Sequence, residues 1–375
     1  MGVSRIFSMS RPASRSPHRL LAALLLPLFL LAAQPARGLV INIDAPGLSG
    51  TPALAAFQRA AGAWEAVFSD PVEVTIAAEL LALGSPSILG QTSSVLLAAA
   101  HDVIRNAMVA DGLSESDDGV VAYLPDASQF SATVLGFTPE IFFGLSGLLS
   151  ATKANLKALG FNATALDQQF GAADATVQFN SQFAFDFDRS DGIDPGLTDF
   201  ETVAAHEIGH VLGFSSVVDT VDALAAAFLV TDISPRTLDL FRFEEGMEPS
   251  TPAEFTSAPR LLVPGFLDLT TFGDLFPAVF ADLDNAFPLS TGFFLGDGRQ
   301  ASHWKDNDLS GALVGLMDPT LAQGQRFDIS AADIRALDLI GWDYDPAVAE
   351  PASAVLFAIA LLFFSFARRR LSRRG

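Results

Sequence analysis

The feature that most constrains this chain is a short segment that reads His206-Glu207-Ile208-Gly209-His210. Residues 202–214 around it have helical spacing, and positions four apart on a helix lie one turn apart on the same face. Both imidazoles can therefore reach one metal ion. Glu207, next to the first histidine, is placed to take a proton from a water molecule that the metal activates. The segment predicts a metal-binding helix that carries its own general base.

Both ends of this helix have recognisable signals. Residues 198–201 read Thr-Asp-Phe-Glu, a capping box in which Thr198 and Glu201 satisfy free amides. Gly213 lets the chain leave the helix in a left-handed conformation. The alternative interpretation is two solvated histidines on an ordinary amphipathic helix. We favour the metal helix because a chain with only 5 histidines rarely produces this pattern, on a capped helix, by chance.

The residue types available for binding a metal are limited. The chain contains no cysteine, so any metal must be held by imidazole and carboxylate groups, and zinc suits such a site best. A third ligand is needed, but Ser216 stands where a third histidine commonly follows this motif and cannot serve well. Asp219 and His303 remain as alternatives. We expect His303, because imidazole is the commoner third ligand in hydrolytic zinc sites.

The surroundings of His303 suggest a family. It lies in Ser302-His303-Trp304, and Met317 follows in Gly315-Leu316-Met317-Asp318-Pro319. This arrangement resembles the leishmanolysin branch of the metzincin zinc peptidases, in which the third histidine follows a long insertion and a Met-turn underlies the metal. The resemblance implies that His303 is the third ligand and Met317 the Met-turn residue. It also implies an α+β fold, with a mixed sheet, an active-site helix and a loop-rich C-terminal subdomain that ends in a helix.

Both ends of the chain have the composition of segments that contact membranes. Residues 1–38 begin with a basic segment, continue with an apolar one and end with small residues, which is the order found in a secretory signal peptide. Residues 346–353 form a Pro/Ala linker, and residues 354–375 hold a short apolar run followed by arginines, which predicts a membrane or sorting tail. With Glu350-Pro351 ahead of it, this tail resembles the PEP-CTERM tails of Gram-negative bacteria, although Ala349 replaces the usual first proline. The resemblance implies export across the inner membrane, and a sorting enzyme as partner.

Charge separates these ends from the body. Residues 1–38 and 351–375 hold 10 of the 22 basic residues and none of the 43 acidic ones, which leaves the body, residues 39–350, with a formal net charge of −31. Such a surface repels nucleic acid, so a polyanion partner is excluded. An acidic run of four aspartates makes calcium a second candidate metal, although it lacks EF-hand spacing and a solvated acidic turn explains it better. Its members are Asp186, Asp188, Asp191 and Asp194.

Periodicity along residues 39–345 predicts one α+β domain. Alternation predicts strands at 39–43, 72–77, 120–124 and 178–188. Helical spacing predicts helices at 51–69, 93–109 and 330–340, and further helix within 151–168. Residues 232–300 have little periodicity and are expected to form a loop-rich insertion.

Together these features predict an exported zinc endopeptidase that acts on proteins or peptides, with Glu207 as general base. The alternative is a surface-anchored binding or matrix protein whose zinc site is structural or degenerate. An open coordination position separates the two functions, because structural zinc sites are closed by four protein ligands.

Overall fold

The computed structural model describes residues 38–113, 115, 118–138, 141–266 and 273–344. The predicted signal peptide, linker and tail lie outside these residues. None of the helices in the described ranges has the length and apolar composition that crossing a bilayer requires.

The described residues form an α+β fold, as the sequence predicts. The helices are α1 (Pro52–Glu65), α2 (His101–Gly112), α3 (Lys153–Ala158), α4 (Ala163–Phe170), α5 (Phe200–Leu212), α6 (Val218–Ala226), α7 (Pro252–Ser257), α8 (Asn307–Ser310) and α9 (Ala331–Asp338). The strands of the first half are β1 (Val40–Asp44), β2 (Glu73–Leu81), β3 (Gly90–Ser94), β4 (Leu96–Ala100), β5 (Ala132–Thr133), β6 (Gly136–Thr138), β7 (Ile141–Phe142), β8 (Gly144–Leu145), β9 (Leu148–Thr152) and β10 (Ala175–Asn180). Those of the second half are β11 (Phe185–Asp186), β12 (Thr198–Asp199), β13 (Asp232–Ile233), β14 (Arg242–Glu244), β15 (Arg260–Leu261), β16 (Ala278–Ala281) and β17 (Ala286–Leu289).

A mixed four-stranded sheet forms the base of the fold. Its strand order is β1-β2-β10-β3. The strands β1, β2 and β10 are parallel, and β3 runs antiparallel to β10 at the edge. Because β3 lies against α5, the helix that carries His206 and His210 packs beside the edge of this sheet.

Helix α1 holds α5 in place. Its apolar residues recur at helical spacing, and the buried ones include Phe57, Ala60, Ala61 and Trp64. The Trp64 indole donates a hydrogen bond of 2.9 Å to the carbonyl oxygen of Ala205, inside α5. A buried polar group that finds its partner in this way fixes the register of two packed helices, so the face that α5 presents is set by α1.

The C-terminal segment after α9 anchors the other end of α5. The Trp342 indole donates a hydrogen bond of 2.8 Å to Leu212 O, the last residue of α5. Gly213 then turns the chain away with φ +127°, the positive value that the sequence predicts. Ser330 caps α9 and forms a capping box with Asp333, also as predicted.

Three local predictions are wrong. Residues 93–100 belong to β3 and β4 rather than to a helix, which begins only at His101. Residues 119–123 form a 3-10 turn instead of a strand, and the strand predicted at 178–188 ends at Asn180 before the short β11. The partners of β3 and β4 are β10 and β9, about 50 to 90 residues away. Pairing at that range overrides the helix propensity of an Ala/Leu-rich run.

Two further expectations need correction. The N-cap of α5 is Asp199 rather than Thr198, because the Asp199 carboxylate accepts from the amides of Glu201 and Thr202 while Thr198 pairs in β12. The predicted loop-rich insertion contains the antiparallel sheet β14-β16-β17 as well as loops.

Replacing Gly213 by alanine is expected to destabilise the fold by about 1–3 kcal/mol, because φ +127° disfavours a side chain. A Cβ there would also lie 2.9 Å from Ile340 Cδ1. Gly62 is the matched control, since it lies inside α1 with open space around it. Gly62→Ala is expected to stabilise by about 0.5–1 kcal/mol. Chemical denaturation measures both, and a Gly213→Ala chain as stable as the parent would contradict this account of the helix end.

Candidate metal centre

The histidines of α5 lie where the motif predicts. His206 and His210 are one turn apart, with ring centroids separated by 4.9 Å, and both are half-buried. The opposite side of the helix is packed in the core through Ala204, Ile208 and Val211. Core packing therefore turns the two imidazoles towards the loops of the C-terminal half.

His303 reaches the same point from the loop after β17. Ser290 N donates to His303 O at 3.0 Å, and Trp304 N donates to Met317 O at 3.0 Å, so the loop is fixed on both sides of the histidine. The Trp304 ring is buried against Phe214, with centroids 4.8 Å apart. The structure thus brings together His206, His210 and His303, which are the three ligands that the sequence analysis favours.

The three Nε2 atoms form a nearly equilateral triangle. The distances are 3.1 Å between His206 and His303, 3.2 Å between His206 and His210, and 3.2 Å between His210 and His303. A tetrahedral ion with bonds of about 2.0–2.1 Å holds its ligand atoms roughly 3.3–3.4 Å apart. The triangle therefore fits one zinc-sized ion.

The partners of the Nδ1 atoms explain why the short distances between the Nε2 atoms are not hydrogen bonds. The Nδ1 atoms lie 2.9 Å from Leu316 O, 2.7 Å from Phe214 O and 3.1 Å from Gln300 O, for His206, His210 and His303 respectively. A carbonyl oxygen only accepts, so we assign the proton of each neutral ring to Nδ1. Each Nε2 is then left with a lone pair, and three lone pairs converge on one point. A bound cation would relieve their mutual repulsion, and the carbonyls orient the rings as the outer partners of metal ligands do.

Burial keeps the rings neutral. It lowers the pKa of His206, lowers that of His210 to about 3, and lowers that of His303 well below its usual value. Neutral imidazole is the form that binds a metal.

Met317 lies directly beneath the histidines. It is fully buried, and its sulfur occupies the space that a Cβ on Gly209 would fill. Gly209 lies between the two histidines of α5, so the close approach of Met317 requires a glycine at this position. The structure thus packs the residue predicted for a Met-turn against α5, at the glycine between His206 and His210.

Asp333 connects the final helix to this centre. Its buried carboxylate accepts from Leu316 N at 2.7 Å, from Met317 N at 3.1 Å, and from the Trp304 indole at 2.8 Å. It also accepts from Ser330 N in the capping box, at 2.7 Å. The sequence identifies Asp333 only as a capping residue. Its contacts with Trp304 and the Met317 turn depend on tertiary structure that the local pattern cannot indicate.

Asp219, the alternative third ligand, supports the His303 loop instead. Its carboxylate accepts from Ala301 N at 2.6 Å and from the Ser302 hydroxyl, the residue before His303. Ser302 Oγ in turn accepts from Ser216 N at 2.8 Å. Asp219 and Ser216 therefore hold the ligand loop in place without belonging to the group of metal-binding atoms.

Glu207 points towards the edge strand β3. Its carboxylate accepts a hydrogen bond of 2.7 Å from Thr92 Oγ1, and it is 5% exposed. A Cβ on Gly90 would lie 2.8 Å from Glu207 Oε1, so β3 approaches the carboxylate closely. Burial raises the pKa of Glu207 to about 7, and the Thr92 hydrogen bond opposes that rise. The sequence does not identify Thr92, because its role depends on the position of β3.

The acidic run lies apart from the three histidines. Asp186 accepts hydrogen bonds from the amides of Asp188 and Asp194, so the run forms a turn, and calcium binding there stays a prediction. The other described histidine, His101, begins α2 and packs on Phe130.

Comparison with protein-family profiles, with characterised proteins and with solved structures gives no match for this chain.

Replacing His303 by alanine is expected to abolish stoichiometric zinc binding, because only two of the three imidazole ligands would remain. Asp219→Asn keeps all three ligands and loosens only their loop, so zinc affinity is expected to fall by no more than about tenfold to a hundredfold. Zinc content after dialysis and competition with a chromophoric chelator measure both. Full loss in the Asp219 variant together with retention in the His303 variant would place the third ligand at Asp219.

Replacing Asp333 by asparagine is expected to lower the free energy of unfolding by about 2–4 kcal/mol. The asparagine NH₂ group would face buried N–H groups that now donate to the carboxylate, and it cannot accept their hydrogen bonds. Asp328→Asn is the matched control, since Asp328 is exposed and pairs with Arg189 and the exposed Arg326. Denaturant titration compares the two variants. Equal stability would mean that Asp333 does not organise the centre.

Proposed function

We propose that this chain is a zinc-dependent endopeptidase of the metzincin type. The observation that carries the proposal is the convergence of three Nε2 lone pairs, two from α5 and one from the loop of His303, beside Glu207 on α5. A zinc ion held by His206, His210 and His303 would supply a Lewis acid that activates a water molecule and polarises a carbonyl group. The fold features that support the metzincin type are the mixed sheet, the buried Met317 turn and the final helix α9.

The role that we give to Glu207 is that of general base. It would receive the proton of the attacking water and deliver that proton to the leaving amine. Burial and the single hydrogen bond from Thr92 hold the carboxylate in one orientation, which a proton carrier needs. The approach of β3 to this carboxylate defines one wall of the site.

The edge strand β3 supports a peptide as the substrate. Within the described residues β3 pairs on one side only, with β10. An extended peptide can add to such an edge through backbone hydrogen bonds, which bind any sequence of the right conformation. Addition there would bring a peptide backbone close to Glu207.

The rival function is a binding or matrix protein with a structural zinc site. Structural sites are usually closed by four protein ligands. Among the described residues, the group whose ligand atoms lie within reach of one ion contains three histidines and no carboxylate. That composition leaves one position for water or substrate, which favours catalysis.

The location that we propose is outside the inner membrane, at the cell surface or beyond. It is supported by the sequence of residues 1–38 and by the apolar run and arginines of residues 354–375. These segments would also make membrane contact and a sorting enzyme part of the protein's maturation.

Replacing Glu207 by glutamine is expected to lower peptide hydrolysis by about 10²–10⁴-fold while zinc stays bound, because only the proton acceptor is lost. Glu201→Gln on the same helix is the matched control, since Glu201 pairs with Arg59 at the far end of α5. Casein cleavage and zinc content measure both effects. Undiminished turnover in the Glu207 variant would rule out the mechanism.

The rival function is tested with the same assay. A peptidase is expected to cut casein internally and to lose that activity when a chelator removes the zinc. A folded, zinc-loaded chain that cleaves no protein substrate would favour the binding protein.

A further inference from the structure

Arg236 differs from the other basic residues of the body. Residues 38–344 contain 12 lysines and arginines, all of them within the described ranges. Eleven donate a side-chain hydrogen bond to a carboxylate, a carbonyl or an amide oxygen. Arg236 is the exception among the described residues: its guanidinium makes neither a hydrogen bond nor an ion pair. Arg105, Arg242 and Arg260 also lack a carboxylate partner, but their guanidinium groups donate to carbonyl oxygens, whereas the Arg236 guanidinium has no acceptor among the described residues.

The backbone of Arg236 is fixed beside the metal centre. Arg236 N donates to Asp239 Oδ2 at 2.8 Å, and the same carboxylate accepts from Ser216 Oγ at 2.5 Å and from Val217 N at 2.9 Å. Ser216 and Val217 follow Phe214, whose carbonyl oxygen orients His210. A buried aspartate therefore ties Arg236 to the segment that leaves α5 immediately after the second metal ligand.

The side chain stays within reach of solvent. Arg236 is half-buried, although Pro235 and Thr237 on either side are buried. Asp239, which accepts from Arg236 N, also holds Ser216 and Val217 where the chain leaves α5. Arg236 therefore lies on the His210 side of the three histidines.

We propose that Arg236 is a specificity-determining residue that pairs with a carboxylate of the peptide substrate, on the His210 side of the metal centre. The inference rests on the proposed peptidase function. A guanidinium with free donors matches a carboxylate in a bidentate geometry, and a partly desolvated cation gains most from such a partner. The carboxylate would belong to an acidic side chain near the scissile bond or to the C-terminus of the peptide.

The charge of the body makes this local recognition effective. A net charge of −31 disfavours the approach of an acidic peptide. An unpaired arginine beside the centre supplies attraction only where a carboxylate can reach it. Position along the peptide, rather than overall charge, is therefore expected to decide which substrates are cut.

The test uses the full, zinc-loaded chain and matched peptides. One series replaces Gln by Glu at each position around the cleaved bond, and a second compares a free C-terminus with an amide.

For the preferred carboxylate, Arg236→Gln is expected to lower kcat/KM by about 10- to 100-fold, while the neutral peptide changes by less than about threefold. Arg236→Lys should recover part of the preference, because it keeps the charge without the bidentate fork. Arg236→Glu should shift the preference to lysine at that position.

Arg326→Gln is the matched control, since it removes one arginine that pairs with exposed Asp328 near the start of α5. It is expected to leave the carboxylate preference unchanged. Zinc content and thermal unfolding verify that each variant is folded. If Arg236→Gln does not fold, Arg236→Lys and Arg236→Glu test the carboxylate preference in its place. The proposal is overturned if Arg236→Gln lowers kcat/KM equally for charged and neutral peptides, which would indicate an action on the reacting carbonyl. It is also overturned if the parent chain shows no carboxylate preference.

Peptide binding separates this proposal from the peptidase function. Fluorescence anisotropy gives Kd for the same peptide pairs, using Glu207→Gln to prevent cleavage. The parent chain could hydrolyse nothing and still bind the carboxylate peptide with a lower Kd. If Arg236→Gln removes that preference, the anion site is retained and the peptidase function is rejected. Hydrolysis with no carboxylate preference in kcat/KM or Kd would retain the peptidase and reject the role of Arg236.

Discussion

Three imidazole nitrogens meet at 3.1–3.2 Å in this fold, each with a lone pair directed at its neighbours. The backbone carbonyls on their far sides prevent the rings from relieving the repulsion by exchanging protons, because a carbonyl oxygen cannot donate. Burial lowers the pKa of all three rings and so disfavours their protonation. A bound cation would satisfy the three lone pairs at once, so the packing that holds His206, His210 and His303 together also sets what the site could bind.

The supports of this centre come from distant parts of the chain. Trp64 fixes α5 from the N-terminal side, and Trp342 fixes its last turn from the C-terminal side. Asp333 then joins the loop of Trp304 to the Met317 turn through one buried carboxylate. Buried polar groups of this kind are costly unless fully hydrogen-bonded. Their satisfaction here couples the geometry of the ligands to the integrity of the whole domain.

The sequence predicts the parts of the site that depend on local periodicity. Helix α5, its two histidines and the exit at Gly213 follow from spacing alone, and His303 follows from the scarcity of other ligands together with a family resemblance. Local patterns fail where distant segments decide. The segment at 93–100 becomes two strands because β10 and β9 pair with it. The contacts of Asp333 and Thr92, and the position of Arg236 beside the end of α5, likewise depend on residues far along the chain, which no window of the sequence contains.

The most direct test of the account is X-ray absorption at the zinc edge of the zinc-loaded chain. We expect three imidazole nitrogens at about 2.0–2.1 Å, with solvent oxygen completing the shell. In His303→Ala we expect no stoichiometric site of this kind. A shell closed by a fourth protein ligand, or one with two imidazoles and a carboxylate, would contradict the open three-histidine centre on which the proposed function depends.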